Sequence, residues 1–328
     1  MDICDRRGLK GSAREALLGA AYDPKRLILI HTGAMAVLSL ILAVLNFVLE
    51  KGIGGTGGLS GIGTRSILTT AQSVLQLAQV IILPFWQIGW LFVTIKLSRK
   101  EQAAPEDLLE GFRRFFPVLR LYLLQGALYM GIAMLCSYVA SIIFMMTPWA
   151  APFMDVVMQY MEATDTAAME AALEQVTADA VLPLMGIMAV VFVVFAAPYF
   201  YRFRMAQFVI LDNPKPGALA ALRESRKMMR GNAVSLFKLD LSFWWFYGLE
   251  LLIVALAYLD ALLPLLGVTL PWSSAVTYFV LMVLYSGCQM LLYWCCKPQV
   301  DVTYAKVYEA LSQPGEEQTL LPDQSWGE

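Results

Sequence analysis

The sequence predicts an all-α polytopic membrane bundle, with six transmembrane helices and short cytoplasmic amphipathic elbow helices. Three observations carry that expectation. Hydrophobic residues make up 59% of the 328 and charged residues 15%, against about 45–50% and about 25% in an ordinary soluble chain. The apolar residues come in blocks long enough to cross a hydrocarbon core about 30 Å thick. Lysine and arginine, in turn, gather in alternate connections between those blocks.

The expected spans are 27–49, 67–97, 121–146, 181–201, 241–263 and 276–294. At a rise of 1.5 Å per residue the first run extends ~34 Å, longer than a signal-peptide core of about 7–15 residues, so it is expected to remain as an anchor. Residues 1–312 then form one membrane domain, followed by a disordered polar cytoplasmic tail, 313–328.

Positively charged short loops stay cytoplasmic. Of the 24 Lys and Arg, all but Lys51 and Arg65 fall on the N-terminal tail, the second-to-third and fourth-to-fifth connections, and the C-terminal region. Both termini are therefore expected to be cytoplasmic. The outer connection 147–180 has no Lys or Arg but carries Asp155, Glu162, Asp165, Glu170, Glu174 and Asp179. An odd number of spans would put that acidic loop beside the basic ones, so the charge pattern supports six. Its stretch 165–179 reads as an acidic helix. Trp149 and Trp272 at the outer interface, and Tyr201 and Trp294 at the inner, fit the headgroup preference of amphipathic rings.

A repeated plan runs through the basic connections. "ALLGAAYDPKRLILIHTG" and "LLEGFRRFFPVLRLYLLQG" each place a Leu pair before a glycine (Gly19, Gly111), then a proline (Pro24, Pro117), then a second glycine nine residues on (Gly33, Gly126). A third stretch, "NPKPGALAALRESRKMMRGN", ends in Gly231 and Asn232. Each reads as an elbow helix feeding a span. In the third, Asp212 and Asn213 suit an N-cap with Pro214 and Pro216 in the first turn, and Gly231 suits the helix end. Leu219, Leu222 and Met229 are expected against acyl chains, with Arg223, Arg226, Lys227 and Arg230 on anionic headgroups or a partner.

The stretch 208–243 also carries a family likeness. Asp212-Asn213-Pro214, Ser225-Arg226, Met229, Gly231 and Leu239-Asp240-Leu241-Ser242-Phe243 resemble the signature of the bacterial integral-membrane family catalogued as domain of unknown function 975. The resemblance implies a multi-pass bacterial cell-membrane protein and brings no established activity, ligand or catalytic residue. The chain is also loosely similar to the membrane region attached to some glycerophosphodiester phosphodiesterases, without a phosphodiesterase domain.

The candidate intramembrane polar site comprises Glu250, Asp240, Gln72, Gln76, Gln79 and Gln87. Glu250 falls near the middle of the fifth span, where an acidic side chain costs about 2.5 kcal/mol or more and usually faces the bundle interior; Asp240 and Asp260 flank it. The four glutamines and Thr94 share one helical face at ~100° per residue, and Pro84 is expected to interrupt that helix. Such a stripe either lines a watery path or joins helices by hydrogen bonds. Ala133, Ser137 and Ser141, spaced by four, suit close helix packing.

Other motifs point to no chemistry. "GIGGTG", 52–57, fits G-x-G-x-x-G but lacks the strand and helix that a dinucleotide site requires. His31, the single histidine, has no ligand partners in sight and reads as a packed residue. The five cysteines show no C-x-x-C pair, so neither a disulfide framework nor a zinc site is expected. No hydrolase or NTPase signature is present. The expectation is a non-catalytic membrane-organising or partner- and lipid-binding protein, with no cofactor, no metal and no nucleic acid. The alternative is a small permease or lipid-handling transporter using Glu250 and the glutamine face of the second span.

Overall fold

The computed structural model describes residues 5–55, 62–162, 178–215, 217–259 and 274–312. All of the expected acidic helix 165–179 but its last two residues, together with Asp260, Trp272 and the tail 313–328, lies outside these residues. No strand occurs among the described residues. In chain order the helices are α1 (Arg6–Leu18), α2 (Pro24–Gly55), α3 (Ile62–Ser98), a 3-10 turn (Pro105–Leu109), α4 (Glu110–Arg113), α5 (Phe115–Met145) and α6 (Ala150–Glu162). They continue with α7 (Ala178–Val191), a π turn (Phe192–Ala196), α8 (Ala197–Phe203), α9 (Ala206–Asp212), α10 (Gly217–Met228), α11 (Ala233–Leu241), α12 (Trp244–Ala257) and α13 (Ser274–Ser312).

Five stretches are long and apolar enough to span a bilayer: Pro24–Leu49, Ser66–Ser98, Phe115–Met145, Leu182–Asp212 and Phe279–Ser312. A sixth is the pair α11 and α12, bent by 66°. The expected fifth span, 241–263, is therefore not one straight helix from its start. The break falls at Ser242 and Phe243, where neither Pro nor Gly is present. Lys10 of α1 holds it: the ammonium donates to the Ser242 carbonyl at 3.0 Å and sits 3.9 Å over the Phe243 ring. A carbonyl freed at a helix end needs such a partner. Burial, and secondarily the charge of Arg6, hold Lys10 below the usual lysine range.

Large apolar side chains on these spans stay exposed, among them Leu251 (70%), Met134 (68%) and Val193 (65%). Patches of this kind are unstable in water and natural in lipid, so the chain is a polytopic membrane bundle. Pro84 does not interrupt α3, which runs unbroken from Ile62 to Ser98; losing one intrahelical donor is tolerated in membrane helices. The fourth span accommodates Pro198 differently. Lacking an N–H, that proline cannot bond the carbonyl four residues back, and the helix widens into the π turn at Phe192–Ala196 just before it. The glycine-rich run is not a loop throughout, since α2 continues to Gly55; Thr56 and Gly57 lie outside the described residues.

The chain divides into two compact units, Met1–Val118 with Val234–Glu328, and Leu119–Ala233. In the first, α2, α3 and α13 pack on one another pairwise, α12 packs on α13, and α1 lies across α13 and α3. Its core gathers at the end of the bundle where α1 sits. Ala13 and Ala16 meet Leu27, Ile28, Trp90, Val93, Leu97, Leu108 and Val302, all at most 2% exposed. Helix α13 runs for 39 residues, about 58 Å at 1.5 Å each, well past the expected end at residue 294. Its last turns are packed inside the unit, with Val300, Val302, Ala305 and Val307 buried.

Each elbow packs one face on protein. The turn Pro105–Leu109 is fixed by Asp107, which accepts the Ala104 N–H at 2.8 Å and the Lys96 ammonium at 2.8 Å. Leu108 and Gly111 then press on α3: a Cβ at Gly89 would lie 1.7 Å from the Leu108 carbonyl oxygen, and one at Gly111 2.0 Å from that of Phe85. The glycines that align in the repeat thus do different work, because Gly19 closes α1 by donating to the Glu15 carbonyl.

In the second unit, Cys136 and Ala140 of α5 pack against Val191 and Ala196 of the fourth span. Helix α10 buries Ala221, Leu222 and Ser225, and Met229 just beyond it is 2% exposed. Leu222 and Met229 therefore face protein, not acyl chains, leaving Leu219 exposed. Asp212 and Asn213 end α9 instead of capping the elbow, because the buried Phe208, Ile210 and Leu211 carry that helix on. Gly231, at φ +83°, closes the elbow as expected.

Substituting Gly89 or Gly111 by Ala is expected to destabilise the purified protein in detergent by about 1–3 kcal/mol or more, since each Cβ meets backbone. Gly126→Ala, with nothing within 4 Å, should leave the melting temperature unchanged or slightly raised.

Candidate functional site

Each unit places sequence-expected polar residues in a definite setting. In the first, half-buried Glu250 on α12 faces α13, where the Tyr293 hydroxyl donates to its Oε1 at 2.8 Å. Gln289, one turn earlier, donates its amide to the same hydroxyl at 3.0 Å. Tyr293 is thus acceptor and donor at once, and Glu250 is held between two helices by a neutral relay. Asp240 is joined to α13 separately: Tyr304 donates to its Oδ1, and the Tyr304 and Tyr247 hydroxyls are 2.7 Å apart.

The glutamine stripe does not converge on Glu250. Gln76 and Gln87 are exposed and Gln72 and Gln79 half-buried, and of the four only Gln87 lines the cavity between α2, α3 and α13. The periodicity of the stripe is real, but helix spacing does not say which neighbours a face meets. That cavity also receives His31, whose ring stacks on Trp86 at 5.8 Å and tilts over Trp90 at 5.5 Å. Trp86 donates its indole N–H to the His31 carbonyl at 3.1 Å. The residue is 1% exposed, yet its Nδ1 has no hydrogen-bond partner among the described residues. Leaving such a group unsatisfied costs about 1–3 kcal/mol.

In the second unit, the spacing 223, 226, 227 and 230 puts four cations on one face of α10 and its end. Buried Ser225 donates its hydroxyl to the Arg202 carbonyl at 2.9 Å, which pins α10 to α8 and brings Arg202 beside that face. Arg202, Arg223, Arg226, Lys227 and Arg230 then line one concavity of about 670 Å³, floored by Pro198 and Met229. Arg202 also lies over the Tyr199 ring at 5.2 Å. No carboxylate pairs with these five among the described residues. Guanidinium groups around a concavity form short, charge-assisted, bidentate hydrogen bonds to phosphate or carboxylate.

The structure therefore brings together all four basic residues expected from sequence and adds Arg202, which sequence reading counted only as a topological charge. Nothing periodic links residue 202 to residue 223, but the Ser-Arg pair at 225–226 marks where they join. Tyr293 was also missed, although Gln289 and Tyr293 stand four apart, the spacing of neighbours on one helix face.

A family profile described as "Protein of unknown function (DUF975)" matches residues 5–313, so the likeness seen over 208–243 extends across both units. No curated protein and no solved structure matches the chain.

The Tyr293–Glu250 contact should behave as a modest interhelical tie. A double-mutant cycle of Tyr293→Phe and Glu250→Gln, read by thermal or denaturant unfolding in detergent, is expected to give a coupling energy of about 0.6–1.7 kcal/mol. A value near zero would show that the two groups do not meet.

Proposed function

The chain belongs to the family described as Protein of unknown function (DUF975), and from that premise we propose that it is a non-catalytic protein of the bacterial cell membrane that binds anionic phospholipid headgroups. The observation that carries this reading is the five-cation concavity of Arg202, Arg223, Arg226, Lys227 and Arg230. Each Lys or Arg near an anionic leaflet contributes about 1 kcal/mol. Five on one concave face hold a phosphate more firmly than the same charges spread along a loop, because several guanidinium donors reach it together.

The expected topology agrees. With N- and C-termini cytoplasmic, α10 sits at the inner leaflet, where anionic lipids set a negative surface potential. Exposed Leu219 and Leu241 flank the cationic face in sequence and suit the acyl boundary. The permease alternative draws on Glu250, but that carboxylate is already engaged by Tyr293, and the cavity that Gln87 lines does not include it.

The test is native mass spectrometry of the full-length protein released from mixed anionic and zwitterionic nanodiscs. Changing Arg223, Arg226, Lys227 and Arg230 together to Gln should lower retained anionic lipid by about tenfold or more relative to zwitterionic lipid. Exposed Lys100 and Arg113, changed likewise, should have little effect. Raising salt should weaken the wild-type preference, as screening requires. An unchanged lipid ratio in the fourfold variant overturns the reading. Reporter fusions should place residue 226 in the cytoplasm and residue 155 outside; finding both on one face overturns the topology.

A further inference from the structure

The concavity of the second unit is selective in what it offers a headgroup. Its charged lining comes from two elements: Arg202 of α8, and Arg223, Arg226, Lys227 and Arg230 of α10 and its end. Glu224, the one carboxylate of α10, does not line it. The rest of the lining is Pro198, Met229, Gly231 and Ala233, none of which has a side-chain oxygen or nitrogen.

Every charged side chain around the space is therefore a donor. Guanidinium and ammonium groups donate hydrogen bonds and accept none. A headgroup with donors of its own, such as the hydroxyls of glycerol or inositol or the ammonium of ethanolamine, meets no side-chain acceptor here. An unmatched donor is costly to desolvate. The complementary ligand is one that only accepts.

Phosphate occurs in lipids in two forms. A phosphodiester keeps two free oxygens and a single negative charge, its other two oxygens being tied to carbon. A terminal phosphoryl group has three acceptor oxygens and, at neutral pH, a charge of about −1.5 to −2. Three oxygens set in three directions can be met from α8 and α10 at once through bidentate guanidinium contacts. The rim beside Arg230 is open, since even a Cβ at Gly231 would meet nothing within 4 Å.

We propose that the concavity selects lipids whose headgroup is a bare phosphomonoester, of the phosphatidate kind, over phosphodiester lipids. This rests on the headgroup reading above and narrows it to one chemical class.

Full-length protein is released from phosphatidylcholine nanodiscs doped equally with phosphatidate, phosphatidylglycerol and cardiolipin of matched acyl chains, and retained lipid is read by native mass spectrometry. At about pH 8, well above the second phosphate pKa, phosphatidate should be retained about tenfold or more over phosphatidylglycerol, the gain from one further charge-assisted hydrogen bond. It should also exceed cardiolipin, which matches its charge with two phosphodiesters and a free hydroxyl. The second phosphate proton has a pKa of about 6, while Lys and Arg stay charged from about pH 5 to 8. The preference over phosphatidylglycerol is therefore present above that pKa and should shrink to within about twofold at about pH 5. Arg202→Gln removes the α8 side of the site and should bring phosphatidate toward parity with phosphatidylglycerol, while anionic lipid as a whole stays above phosphatidylcholine. The wild-type pH series stands even if that variant folds poorly. Glycerol 3-phosphate, the same phosphoryl group without acyl chains, should displace phosphatidate only at about hundredfold excess or more, because the bilayer holds the lipid at high local concentration.

Parity of phosphatidate with phosphatidylglycerol or cardiolipin at the higher pH overturns the phosphomonoester assignment and leaves headgroup binding standing. So does a preference that neither the lower pH nor Arg202→Gln moves. Displacement by equimolar glycerol 3-phosphate assigns the site to a free phosphomonoester and overturns the lipid. Retention of anionic lipid no better than phosphatidylcholine overturns both readings together.

Discussion

The first unit depends on how the acidic side chains of α13 are neutralised where that helix leaves the apolar layer. Asp301 accepts the Trp90 indole N–H at 2.6 Å and pairs with Lys297. Glu309, two turns on, takes the Ser98 hydroxyl, the Lys306 ammonium at 2.8 Å and, more loosely, Arg99. Both acids thus reach the last turns of α3. A half-buried carboxylate left without such partners is strongly destabilising. With them in place, one continuous helix serves both as a span and as the post on which α1 and α3 gather. The apolar contacts around Leu97 and Val302 follow from that registration, and each fully buried aliphatic side chain there adds about 1.5–3 kcal/mol.

The second unit solves a different problem with the same kind of part. Helix α10 turns Ala221, Leu222 and Ser225 inward, and the cations at 223, 226, 227 and 230 are left outward as a consequence of 3.6-residue periodicity. The elbow is therefore not merely a charged strip that holds topology. Its inner face fixes its azimuth, and the Ser225–Arg202 bond fixes its distance from α8. Together these turn a basic segment into a shaped surface. The concavity is a by-product of packing, which is why its cations need no mutual contacts to stay in place.

The spans were legible because apolar length is a one-dimensional property, and α2, α3 and α5 match their expected ranges closely. The cationic face of α10 was legible for the same reason that any amphipathic helix is. The 66° break at Ser242 was not, because no residue there breaks a helix by itself, and the group that takes up the Ser242 carbonyl is Lys10, far away in sequence. The inward packing of Leu222 and Met229 was misassigned to lipid, since protein and hydrocarbon attract the same side chains. Spacing alone likewise placed Gln72, Gln76, Gln79 and Gln87 on one face without saying that Gln76 would be exposed. His31 was read correctly as packed, but its unsatisfied Nδ1 depends on what Trp86 and Trp90 leave uncovered, and composition carries no trace of that. The stretch 208–243 proved dense in specific work: Ser225 ties two helices, Gly231 reverses the backbone, and Asp240 anchors α11 to α13 through Tyr304.

The bond from Lys10 to the Ser242 carbonyl joins residues 232 positions apart, and the whole second unit lies between them in the chain. The first unit is thus discontinuous in the chain, whereas the second is continuous, so the kink between α11 and α12 takes its polar partner from a helix that only the assembled first unit brings near.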